Sequence, residues 1–177
     1  MKRVVLVRDA MTERVLTAGP RTSVARAAKL MSERGVGSIV IVKSRRPVGI
    51  LTERDLLMKV VAEDLKASKV KVGEVMSSPV ITVGPDADVV EAAKLMVKNR
   101  IRRLPVVEGG ELVGIVTASD ITAVAPELLS VLPERPELPP REEIEESVCE
   151  VCGEVTSSLY EVNGMWVCEN CRDFLLG

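Results

Sequence analysis

Gly49-Ile50-Leu51-Thr52-Glu53-Arg54-Asp55-Leu56 is matched 65 residues later by Gly114-Ile115-Val116-Thr117-Ala118-Ser119-Asp120-Ile121. Sliding the chain by that offset aligns residues 8–56 with 73–121 without a gap, and 17 of the 49 positions are identical. Met11, Val15, Thr17, Gly19 and Pro20 meet Met76, Val80, Thr82, Gly84 and Pro85. Ala27-Ala28-Lys29-Leu30-Met31 meets Ala92-Ala93-Lys94-Leu95-Met96. The first two thirds of the chain is therefore a duplicated supersecondary unit.

Each copy reads β-α-β-β-α. A short extended segment (15–17, and 80–83 in the second copy) ends at Gly-Pro, a turn signal. Ser23 and Asp88 suit N-caps. Behind them Val24, Ala27, Ala28 and Met31, and in the second copy Val89, Ala92, Ala93 and Met96, recur at i, i+3, i+4 and i+7. That spacing gives one apolar helix face, with alanines small enough for close approach to a sheet. Two β-branched strands follow, 38–42 with 48–51 and 104–107 with 112–116, and Gly109-Gly110 suits the second hairpin turn. Thr52 and Thr117 then open another helix, since Thr-x-x-Asp is a capping box with Asp in place of Glu or Gln. The expected fold class is α+β.

The element order, the two Thr-x-x-Asp segments and Arg102-Arg103-Leu104-Pro105-Val106-Val107 resemble CBS (cystathionine-β-synthase-type) repeats. The resemblance covers residues 8–65 and 73–125. It implies a pseudo-symmetric Bateman-type pair with a cleft for adenosyl ligands: AMP, ADP, ATP or S-adenosylmethionine. It further implies that the Asp takes the ribose hydroxyls, the Thr contacts phosphate, and the partner repeat holds the base. One site would combine Thr117 and Asp120 with Val15, Leu16, Val36, Gly37 and Ser38. The other would combine Thr52 and Asp55 with Val80, Ile81, Ile101, Arg102 and Arg103. Arg102-Arg103 stand where the first copy has Gly37-Ser38, and Arg54 stands where the second has Ser119. Arg54 therefore joins the ligand-facing set, and the two sites are expected to be unequal.

Elementary chemistry is compatible with those roles. A helix start offers free N–H groups to an anion, and a carboxylate can accept two ribose O–H bonds. The plainer readings stay open beside them: Thr-x-x-Asp as a helix cap alone, Arg102 and Arg103 as a solvated face, and a CBS pair that serves only as a dimerisation scaffold. The family also implies a homodimer packed through helices. Leu56-Leu57-Met58 and Val60-Val61 supply more apolar surface than one helix face needs.

Five prolines, Pro126, Pro133, Pro136, Pro139 and Pro140, mark a linker over 126–147. A helical turn is expected at 126–132, a stiff tether at 134–140 and an acidic helix at 141–147. Over 148–177, Cys149-x2-Cys152 and Cys168-x2-Cys171 are separated by fifteen residues. This is metal-site spacing, and the segment resembles a zinc ribbon or rubredoxin-like knuckle pair. Asn163-Gly164 signals a hairpin between the pairs. Four sulfur ligands leave no open position, so the role is structural; Zn²⁺ is the default, and tetrahedral sulfur also suits iron. Two disulfides and a thioredoxin-like redox pair are the alternatives. Trp166 and Tyr160 are expected to pack against the knuckles.

Composition narrows the function classes. There is no histidine, which excludes His-based acid–base catalysis and His metal ligands. No nucleophile–base pair, glycine-rich phosphate loop or open metal site is legible, so the chain reads as a sensor rather than an enzyme. The apolar runs are too short for a signal peptide or a membrane span, and the expected location is the cytoplasm. Residues 1–140 carry 22 Lys+Arg and 17 Asp+Glu, whereas residues 141–177 carry 2 and 9. The repeats could attract an anionic ligand. The acidic ribbon argues against the rival reading, a transcription regulator that touches nucleic acid through its ribbon. An iron-bearing electron carrier is a third reading.

Overall fold

The structure, a computed structural model, describes residues 4–126 and 146–176. The expected linker lies almost wholly outside them. Ser147, expected at the end of an acidic helix, instead begins a strand. The chain divides into two compact units, one holding the repeats and one holding the cysteines.

In the first unit, α1 (Val7–Ala10) precedes β1 (Thr17–Ala18), α2 (Val24–Arg34), β2 (Ser38–Lys43), β3 (Arg46–Thr52) and α3 (Glu53–Leu56). The last of these runs on into a π-helical turn, Leu57–Val61. The second copy repeats the order with α4 (Val72–Val75), α5 (Val89–Asn99), β4 (Arg103–Glu108), β5 (Glu111–Thr117) and α6 (Ala118–Val124). Strand β2 pairs parallel with β1 and antiparallel with β3. β4 and β5 pair antiparallel, and the first strand of the second copy is reduced to a parallel bridge between Val83 and Val106.

The expected caps form. Ser23 Oγ accepts from Arg26 N, and the Asp88 carboxylate accepts from Val90 N. Both Thr-x-x-Asp boxes close reciprocally. α2 ends on Gly35 in the left-handed region at φ +61°, as a helix C-terminus favours. α5 ends the same way on Arg100 at φ +54°, where a side chain makes the conformation costly. Gly109-Gly110 turns the second hairpin; the first turns through Ser44 and Arg45, both with positive φ. In both hairpins the strands run one or two residues further than the β-branched runs alone suggest, since the charged residues at the turns, Lys43 with Arg46 and Glu108 with Glu111, still pair.

The two cores are completed by exchange. Val7 is fully buried among Val83, Val89, Leu104, Val106 and Ile121 of the second copy. Val72 and Val75 are buried among Val24, Ile39, Ile41 and Leu51 of the first. Backbone bonds fasten each segment: Val7 N to Ala87 O, Thr12 N to Ile115 O, Val72 N to Thr22 O, and Ser77 N to Ile50 O. Neither repeat closes its hydrophobic core with its own segment alone, which makes the pair the folding unit.

The second unit has two small ladders, β6 (Ser147–Val148) with β7 (Val155–Thr156) and β8 (Tyr160–Val162) with β9 (Met165–Val167). Asn163-Gly164 makes the expected left-handed turn between β8 and β9. A helix α7 (Glu169–Leu176), not expected from sequence, closes the unit. Among the described residues no helix is long and apolar enough to cross a membrane.

Candidate functional site

One cavity of about 540 Å³ lies in the repeat unit, within the range of small-molecule sites. Thr52, Arg54 and Asp55 reach it from the end of β3 and from α3. Val80 and Ile81 reach it from the segment before α5, and Ile101, Arg102 and Arg103 from the entry to β4. Every residue assigned to the Asp55 site therefore lines one space. Of the other set, only Gly37 lines this cavity; Val15, Leu16, Val36, Ser38, Thr117 and Asp120 lie outside its lining.

Gly37 has a steric role here. A Cβ at that position would come 2.6 Å from Glu53 Oε2 and 3.2 Å from Arg103 Nη1. The glycine thus admits Glu53 and Arg103 to the same corner. Burial lowers the Arg103 pKa from its ordinary value, Glu53 opposes that shift, and Arg102 adds to it. Arg54, Lys59, Arg100, Arg102 and Arg103 line the cavity against only Glu53 and Asp55, so it is electropositive.

Asp55 is buried, and both of its carboxylate oxygens accept hydrogen bonds. Oδ2 accepts from Thr52 N at 2.9 Å and Thr52 Oγ1 at 2.6 Å. Oδ1 accepts from Lys59 Nζ at 2.7 Å and Ser77 Oγ at 3.0 Å. Lys59 also donates to Val75 O at 2.8 Å. Burial pushes the Asp55 pKa up, but the bonds from Lys59, Thr52 and Ser77 outweigh it and hold the carboxyl below its ordinary value. At Asp120 only the Thr117 half of this network recurs, with Oδ2 accepting from Thr117 N at 2.8 Å and Oγ1 at 2.7 Å. The repeat equivalents of Lys59 and Ser77 are Val124 and Thr12.

Lys59, Ser77, Glu53 and Arg100 escaped the sequence reading. Lys59 was legible in principle as an i, i+4 partner of Asp55. Arg100 stood out only as the arginine aligned with Gly35. Ser77 reaches Asp55 through the exchanged segment, and no local pattern signals that.

In the second unit Cys149, Cys152, Cys168 and Cys171 bring their sulfurs within 4.8 Å of one another. All four are free thiols. The Cys152 and Cys168 sulfurs are 3.8 Å apart, far beyond a disulfide bond. That separation suits two sulfurs held about 2.3 Å from one tetrahedral ion. Cys168 N donates to Cys149 Sγ at 3.3 Å, and Gly153 takes φ +74° in the first knuckle. Backbone N–H groups, that of Cys152 foremost, draw the Cys149 thiol down to about 6, while burial and the neighbouring sulfurs push Cys171 up to about 12. Four thiolates held this close would repel one another, and a divalent cation at their centre offsets that repulsion. The residues fit a metal and would hold it as four thiolates in a structural role. The expected packing of Trp166 is corrected: it is 51% exposed. Arg172 covers the ring of Tyr160 at 4.3 Å instead.

The CBS domain family matches residues 7–62 and 72–127. An uncharacterized protein of Methanopyrus kandleri is 42% identical over 99% of this chain and 94% of its own length, so that similarity runs through the cysteine unit. An uncharacterized protein of Methanocaldococcus jannaschii is 40% identical over 93% of this chain and 82% of its own length. A CBS domain pair crystallised with 5′-methylthioadenosine and S-adenosyl-L-methionine superposes with a TM-score of 0.64 at 31% identity, covering 71% of this chain and 98% of that one. Two matched repeats, a shared fold and relatives that span the whole chain place this protein in the CBS-domain family.

Proposed function

We propose that this chain is a regulatory, non-enzymatic sensor that binds an adenosyl ligand, AMP, ADP, ATP or S-adenosylmethionine, in the cavity beside Asp55. One observation carries the reading: a single cavity gathers Thr52, Asp55, Val80, Ile81, Ile101, Arg102 and Arg103 from two repeats. Asp55 is the ribose acceptor, the apolar residues hold the base, and the arginines face the anionic end of the ligand. The related CBS pair bound to adenosyl compounds supports this ligand class. Asp120, with Thr117, Val15, Leu16, Val36, Gly37 and Ser38, is the second and unequal site.

The repeats span 8–65 and 73–125, and the ribbon occupies 148–177. Its four cysteines hold one Zn²⁺, which folds a segment with a very small core of its own. The ribbon contacts a partner protein or second subunit; Phe174 and Trp166, both exposed, support that role. The chain acts in the cytoplasm as a homodimer, a reading supported by the exposed Leu57, Val61 and Leu65 at the end of the first repeat. Mass spectrometry of small molecules and metals released from freshly purified protein tests the whole reading. An adenosyl compound and one zinc per chain is the expected result.

A further inference from the structure

Asp55 is already fully used by the protein. A carboxylate offers about four lone-pair positions, and four donors occupy them, two on each oxygen. A ribose diol that donates two hydrogen bonds must therefore displace donors that are present. The Thr52 pair is the helix cap and recurs unchanged at Asp120, so it belongs to the fold. The exchangeable side is Oδ1, held by Ser77 and by the Lys59 amine. Lys59 is about half-buried and lines the cavity itself.

We propose that Lys59 sets which adenosyl compounds this site takes, by occupying the ribose-binding face of Asp55 until a ligand phosphate gives its amine a new partner. The inference rests on the adenosyl reading of the cavity. A neutral nucleoside must break the charge-assisted Lys59–Asp55 bond and offers the amine nothing in return, and S-adenosylmethionine offers one carboxylate at the cost of bringing a sulfonium and an ammonium into a cation-lined cavity. A polyphosphate must break the same bond but brings anionic oxygens into a cavity that Lys59, Arg54, Arg100, Arg102 and Arg103 already line. The chain therefore selects ATP-like ligands over adenosine and S-adenosylmethionine. The Asp120 copy lacks the device, because Val124 replaces the lysine.

Calorimetry with adenosine, S-adenosylmethionine and ATP on wild type, Lys59→Met and Ser77→Ala tests this. In Lys59→Met, adenosine and S-adenosylmethionine should bind about tenfold tighter while ATP gains nothing, so that the preference for ATP falls by at least that factor. Ser77→Ala frees the same oxygen without changing charge, so all three ligands should gain alike and the preference should hold. Adenosine affinity unchanged or weakened in a folded Lys59→Met protein overturns the proposal, as does a Ser77→Ala variant that shifts the preference equally. A crystal structure of the wild type with ATP is the check independent of any variant. It should show Nζ on a phosphate oxygen, and Nζ still on Asp55 Oδ1 overturns the proposal. If ATP binds wild type and Asp55→Ala abolishes it while Lys59→Met leaves adenosine unmoved, only the Lys59 role falls. If none of the three compounds binds wild type, and AMP and ADP do not bind either, the adenosyl reading falls with it.

Discussion

The sulfur of Met11 lies 2.5 Å from where a Cβ on Gly114 would stand, and Met76 covers Gly49 in the same way. Each methionine comes from the opening segment of one repeat and packs on the last strand of the other. Gly114→Ala should therefore overpack this contact and destabilise the chain by about 1–3 kcal/mol. Met11→Ala should relieve part of that cost, giving a non-additive double-mutant cycle in thermal melts. Simple additivity would mean that the exchanged segment does not bear on the strand.

Arg100 holds a left-handed φ of +54° at the place where the first repeat has Gly35. Arg100→Gly should stabilise the chain by about 1 kcal/mol by removing that strain. It should also weaken ATP binding, because Arg100 lines the electropositive cavity. A thermal melt and a titration on the same variant check both signs. A lower melting temperature would show that the arginine stabilises the fold through contacts that outweigh its backbone cost.

Asp55 is held below the ordinary carboxylate value, so the folded chain binds its proton less tightly than the unfolded chain. The resulting stabilisation is complete above the unfolded pKa and is lost as pH falls through the folded one. The melting-temperature gap between wild type and Asp55→Asn should thus narrow between pH 7 and pH 3. Lys59→Met should raise the carboxyl titration of Asp55, read from its side-chain carbon resonance. A gap independent of pH would mean that the donors from Lys59, Thr52 and Ser77 do not hold the carboxylate in solution.

Chelation at mildly acidic pH should release one metal and four titratable thiols and unfold the cysteine unit alone. The repeats have two cores without cysteine, so their circular dichroism should persist. Trp166 emission is a weak reporter here, because the indole is already half exposed. Backbone amide spectra of residues near Cys149 and Cys168 are the better probe. Thiols that stay blocked under denaturing, non-reducing conditions would indicate disulfides.

Much of the repeat fold is legible because helix caps, apolar periodicity and glycine turns are local signals. Ser23, Asp88, Thr52 and Thr117 cap where the sequence places them. What is not legible is non-local. The duplication shows that Met11 matches Met76, but not that each crosses to the other repeat's glycine. The π-helical turn at Leu57–Val61 has no local signature either, yet it carries Lys59. The cavity-lining residues were reached only because the family resemblance supplied the pairing between repeats. The donors that close the second oxygen of Asp55 needed coordinates.

The central claim is that the cavity beside Asp55 binds an adenosyl ligand, and calorimetry of ATP, ADP, AMP and S-adenosylmethionine against wild type and Asp55→Ala tests it most directly. The account predicts at least one binder, with affinity reduced by about ten- to a hundredfold when the ribose acceptor is removed. Absence of binding by all four compounds, or binding that Asp55→Ala leaves unchanged, would contradict it.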